Sequence, residues 1–188
     1  MRILGPLVAI FLAADAGFAL DLTPIPAFRE LEGVKIPVTT FKDGSRIVTW
    51  QQPWPISGGG ARVSLFPPDP PQAVMTLEIR PRKEGDIPPD IAPPPEVLQK
   101  WVKPFIPNDA TELVPTVTIR GSYLLDSKPS KEYTFTYLSQ ARRFGTSVSF
   151  VDLSDKERIF VVVTAPALSF AAVHATAISS LFQMEWSD

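Results

Sequence analysis

From residue 34 onward apolar and polar side chains alternate in several separate segments, and this period of two predicts strands. Residues 34–41 and 46–50 read as two strands flanking Lys42-Asp43-Gly44-Ser45, and Asp-Gly there predicts a tight hairpin because both residues tolerate positive φ. A third strand, 61–66, follows Gly58-Gly59-Gly60, which reads as a mobile loop. The fourth covers 73–80. There Met75, Leu77 and Ile79 alternate with Val74, Thr76 and Glu78, so one face is expected to be buried and the other wet.

The period then lengthens. Val97, Leu98, Trp101 and Val102 form a stripe at helical spacing, so a helix is expected over 96–103, with Pro95 suited to its first turn and Pro104 and Pro107 stopping it. Strand pattern returns at Val117 and Ile119. It is strongest where Tyr133, Phe135 and Tyr137 alternate with Thr134 and Thr136. Two more strands, 143–153 and 158–165, are joined by a turn at Ser154-Asp155-Lys156 and end at Pro166. A closing helix over about 169–183 follows, with Phe170, Val173, Ala177, Ile178 and Leu181 as its core stripe and Ser169 as its cap. Short turns between neighbouring strands predict an α+β fold, an antiparallel sheet with helices packed on it.

Proline and the first residues set the limits of this domain. Of 21 prolines, twelve fall between Pro53 and Pro95, so residues 53–95 are expected to be long loops broken by short strands. Pro24 and Pro26 oppose a helix over 20–33, which reads as an extended leader before a single domain at 34–188. Arg2, the apolar run Ile3 to Ala14 and the small residues before Leu20 make residues 1–19 a cleaved signal peptide. Cleavage after Ala19 is expected, with Ala16 as the alternative, and the run is shorter than the ~20 residues a spanning helix needs. The mature chain is thus expected to be exported, periplasmic or secreted, and not membrane-spanning. Its lack of cysteine excludes disulfides, thiolate catalysis and zinc–cysteine sites. A formal charge of −2 gives no footprint for nucleic acid.

The order of elements from Glu132 to Trp186 resembles the C-terminal half of Mog1/PsbP-like domains. The aromatic strand at Tyr133–Tyr137 leads to a strand with Arg142-Arg143, an acidic turn, the apolar strand around Ile159-Phe160-Val161, Pro166, and a helix with Phe170 near its start and Leu181-Phe182 near its end. Trp50 and Trp54 are similar to an early tryptophan after a proline in that family. The resemblance implies an antiparallel sheet sandwiched between helices, in a non-enzymatic domain that binds or helps assemble a protein complex.

No residue constellation supplies a catalytic motif. His174, the single histidine, lacks a nucleophile-elbow serine and reads as a boundary residue of the closing helix. Asp152, Asp155 and Glu157 lack the alternation and glycine of a calcium loop and read as a turn. No catalytic residue, metal or cofactor is therefore expected. Trp50 and Trp54, beside Gln51, Gln52, Pro53 and Pro55, are candidate exposed anchors for a partner, with core packing as the competing reading. Arg82 and Lys83 are candidates beside them, since charge changes over 81–95 should weaken partner capture. Binding of a protein partner is the first functional reading. The second is a small-molecule or lipid carrier with a pocket between sheet and helices, and the third is a hydrolase with an unrecognised carboxylate site.

Overall fold

The computed structural model describes residues 19–83, 86–87, 91, 93–115, 124–125 and 128–187. The segment read as a signal peptide lies outside them except for Ala19, as does the strand expected around Val117 and Ile119.

Elements in chain order are β1 (Leu20–Leu31), β2 (Val34–Asp43), β3 (Arg46–Trp50), β4 (Ile56–Gly59), β5 (Arg62–Leu65) and β6 (Val74–Pro81). Then come α1 (Pro95–Val102), continued by a tighter turn at Lys103–Phe105, β7 (Thr111–Pro115), β8 (Leu124–Leu125) and β9 (Lys128–Pro129). The chain closes with β10 (Lys131–Ser139), β11 (Arg142–Asp152), β12 (Glu157–Pro166), α2 (Phe170–Phe182) and β13 (Glu185–Ser187).

The main sheet has seven strands in the order β4-β5-β6-β12-β11-β10-β7, and its recorded pairings are all antiparallel. A second sheet has the order β1-β2-β3-β13. The α+β class and its antiparallel sheet between helices are as the sequence implies. The aromatic positions of β10 go to one face, where Tyr133 and Phe135 join Val148, Phe150, Phe160 and Val162 beneath Leu98 and Val102 of α1. The other face of β6 and β12 carries Met75, Leu77, Ile79, Val161 and Val163, covered by Val173, Ala177 and Leu181 of α2 and by the small sheet. Burying both faces explains why β12 is an unbroken apolar run rather than an alternating one. Pro95 does stand in the first turn of α1, where a missing N–H costs nothing.

Several expectations are corrected. Residues 20–31 are a strand of the domain and not a leader: β1 pairs with β2, and Leu20 and Leu22 are buried in the core. Pro24 and Pro26 are tolerated because β1 lies at a sheet edge. Gly58 and Gly59 belong to β4, hydrogen-bonded to β5, rather than to a mobile loop. The pairing of Asp43 with Arg46 centres the β2–β3 turn on Gly44-Ser45. Ser169 precedes α2, but its hydroxyl donates to the Pro166 carbonyl and caps no amide of the helix.

Tyr137 is buried on the α1 side of the sheet, stacked on Phe144 at 5.4 Å between ring centroids. Burial, with the negative charge of Asp109 nearby, pushes its phenol up to about 12. The folded state therefore holds this proton more tightly than the unfolded chain, which releases it near pH ~10. Stability should be fully present below pH ~10 and fall progressively toward pH 12. Urea midpoints measured across that window check this, and Tyr137→Phe should show a shallower fall. An equally steep fall in the variant would assign the titration to another group.

Candidate functional site

The four residues proposed from sequence fall into two unconnected pairs. Trp50 is fully buried and Trp54 nearly so, and their rings meet edge to face with centroids 5.4 Å apart. They are core residues, and the exposed-anchor reading does not describe them. Packing between the two sheets removes far more apolar surface from water than an exposed indole would. Arg82 and Lys83 follow β6. The Arg82 guanidinium lies 3.5 Å from Asp152, and Lys83 is exposed. Asp152 is otherwise held by Arg158, and the turn after it closes on itself through Leu153 N–H to the Glu157 carbonyl at 3.0 Å. This segment is a hairpin turn stitched by ion pairs.

The surface that stands out is one the sequence reading missed. In β1 and β2, Leu31 pairs with Val34 across a two-residue turn of Glu32 (φ 51°) and Gly33 (φ 79°), both in the left-handed region that such hairpins require. The strand β3 joins β2 only from Thr39 to Asp43, so residues 27–38 project beyond it as a two-stranded ribbon. Strand alternation places Ile25, Leu31, Val34 and Ile36 on the outer face, away from the core, with Ile47 of β3 on the same side. All five are exposed, Leu31 by 53% and Val34 by 62%, and Phe28 on the ribbon's other face is 72% exposed. Beside the apolar row, Arg29 donates to Glu185 of β13 at 2.8 Å. Glu30, Glu32 and Lys35 surround the tip.

The signal for this ribbon was present in Glu32-Gly33 between two apolar-rich runs. The prolines of β1 hid it by suggesting a leader. A second feature invisible to sequence is the contact of His174 in α2 with Glu132 in β10, joined by a hydrogen bond from Nε2 to Oε1. Glu132 is buried and His174 half-buried. The sequence reading of His174 as a helix-boundary residue gave no partner for it. Among the described residues, no group of three or more histidine and carboxylate side chains could hold a metal, and no helix is long and apolar enough to cross a membrane.

No family model matches the chain, and no curated protein matches it in sequence. Among solved structures, it is similar to the Ran-binding protein Mog1p of Saccharomyces cerevisiae, with a TM-score of 0.45 and 9% identity over 86% of this chain and 92% of that one. It is also similar to LpqN of Mycobacterium tuberculosis, described as involved in cell envelope biogenesis, with a TM-score of 0.40 and 13% identity over 94% of this chain and 88% of that one.

Proposed function

We propose that this chain is an exported, non-catalytic module that binds a protein partner through the outer face of the β1–β2 ribbon. The observation that carries the reading is the clustering of exposed Ile25, Leu31, Val34 and Ile36 on one face of a ribbon that no third strand supports. An isolated two-stranded ribbon is marginal in water, and contiguous exposed apolar patches mark interaction surfaces. A protein partner fits better than a lipid surface. Glu30 and Glu32 flank the apolar tip, and anionic headgroups would repel them, whereas a membrane-docking tip carries a surplus of Lys and Arg.

Export rests on the signal-peptide pattern of residues 1–19. The Ala19 amide donates to Glu157 Oε1 at 2.9 Å and its carbonyl accepts from Gly44 N–H at 2.7 Å. Cleavage after Ala16 preserves both bonds, so this reading favours Gly17 as the mature N-terminus.

A photo-crosslinking residue at position 31 or 34, in protein produced in its native cells, should trap one stoichiometric partner. The same residue at exposed position 96 on α1 should not. N-terminal sequencing of this chain from the same cells should begin at Gly17, and a start at Leu20 would place cleavage after Ala19 instead. Combining Leu31→Asn with Val34→Asn should cut partner recovery at least tenfold and leave the unfolding midpoint within about a degree, because exposed substitutions cost little. Undiminished recovery by the double variant, or equal trapping from position 96, would sink the ribbon as the docking surface. Binding to anionic vesicles would replace the protein partner by a membrane.

A further inference from the structure

On the α2 side, the main sheet changes character from strand to strand. Beneath the small sheet and α2 it presents Leu65, Met75, Leu77, Val161 and Val163. On β11 and β10 the same face presents Gly145, Ser147 and Ser149, then Glu132, Thr134 and Thr136. A polar face on an inner strand of a seven-stranded sheet is unusual, because inner strands ordinarily bury apolar side chains.

That polar stretch is not filled by α2. The helix turns Val173, Ala177 and Leu181 into the core, while Phe170, Ala171, His174 and Ala175 line a cleft over β10. The cleft holds about 370 Å³, and Glu132, Thr134, Thr136 and Gly145 contribute to its sheet side. This is within the range of small-molecule sites, roughly 300–1,000 Å³. Phe170 fits against β11 only because residue 145 is glycine: a Cβ there would lie 2.5 Å from the ring carbon Cγ. The aromatic wall is thus set into the sheet, with the small Ala171 and Ala175 beside it in the lining.

The charge of the cleft selects the ligand. Its buried carboxylate, Glu132, can accept several hydrogen bonds, and the bond to His174 Nε2 uses one of them. No lysine or arginine lines the cleft among the described residues. Among the described residues Glu132 supplies the lining's carboxylate, and a carboxylate under low-dielectric walls attracts cations and repels anions. We infer that the cleft between α2 and β10 is a binding site for a small amine: an ammonium head held by Glu132 and an apolar body against Phe170, Ala171 and Ala175. The site is independent of the ribbon and does not rest on partner binding.

Three probes that share one body test the charge: benzylamine, benzyl alcohol and benzoate, titrated into the full mature chain and followed by amide chemical shifts. Benzylamine should shift Thr134, Thr136 and Ala171 saturably and bind at least tenfold more tightly than benzoate. Glu132→Gln keeps a hydrogen-bonding partner for His174 and should remove most of that preference. Ala175→Leu, which adds bulk at the helix surface without touching Glu132, should weaken all three probes together. Benzoate binding as tightly as benzylamine, benzylamine shifts elsewhere on the domain, or no saturable shift at millimolar concentration would each overturn the inference. If Glu132→Gln fails to fold, the probe preference and Ala175→Leu still decide it.

Discussion

Trp50→Ala should destabilise the domain by roughly 3–5 kcal/mol, the range for emptying a large aromatic site in a packed core. Trp50 has no exposed surface and sits where the two sheets meet, touching Trp54 edge to face. It shares one apolar cluster with Phe41 and Val48 of the small sheet and Val63 and Leu65 of the main sheet. The sheets are joined largely through such contacts, so the cavity cannot close without moving one sheet against the other. The indole Nε1 has no hydrogen-bond partner among the described residues. Trp50→Phe therefore deletes volume but also relieves an unpaired buried donor, and it should cost only about 1 kcal/mol. Urea unfolding of the three proteins separates these outcomes. Equal losses from alanine and phenylalanine would mean that the indole N–H matters, and that it finds a partner after all.

Arg158→Ala should be nearly as severe, about 3 kcal/mol or more, because it leaves a partly buried carboxylate without its main partner. The Arg158 side chain is 4% exposed. Its Nε donates to Asp152 Oδ1 at 2.6 Å, one Nη donates to the Ile87 carbonyl at 2.8 Å, and the guanidinium lies 4.3 Å from the centre of the Phe150 ring. Asp152 and Arg158 also face each other across β11 and β12. Arg82, at 3.5 Å, can take over only part of the Asp152 charge. Combining Asp152→Asn with Arg158→Met should recover much of the loss, since removing both members of a buried pair costs less than removing one. A loss below about 1 kcal/mol for Arg158→Ala would place the pair with ordinary surface ion pairs. The loop carrying Ile87 would then be anchored by other contacts.

These two residues show different limits of reading from sequence. For Trp50, an indole beside prolines fits an exposed anchor as well as the core position that its large area favours, and only the second sheet packing over it decides. Arg158 opens an apolar strand and looks like a strand-end cation. Its burial follows from the cross-strand register that sets it opposite Asp152. The ribbon was hidden in another way, because Pro24 and Pro26 mark a segment as non-helical without saying whether it pairs. At the cleft, Glu132 and His174 are 42 residues apart. Each is unremarkable in its own element, and a site exists only where α2 crosses the polar strand.

By itself, the sequence determined the local elements: the aromatic alternation of β10, the buried run of β12, the proline-started α1 and the apolar stripe of α2. Those follow from periodicity and from residues with restricted φ, which act over a few neighbours and are written in the local order of the chain. The tertiary structure decided which face of each strand is covered, that the first strand belongs to a second sheet, and which polar groups share a cleft. These depend on contacts between residues far apart in the chain. Burial and charge pairing are energies of proximity in space, and a one-dimensional pattern does not record them.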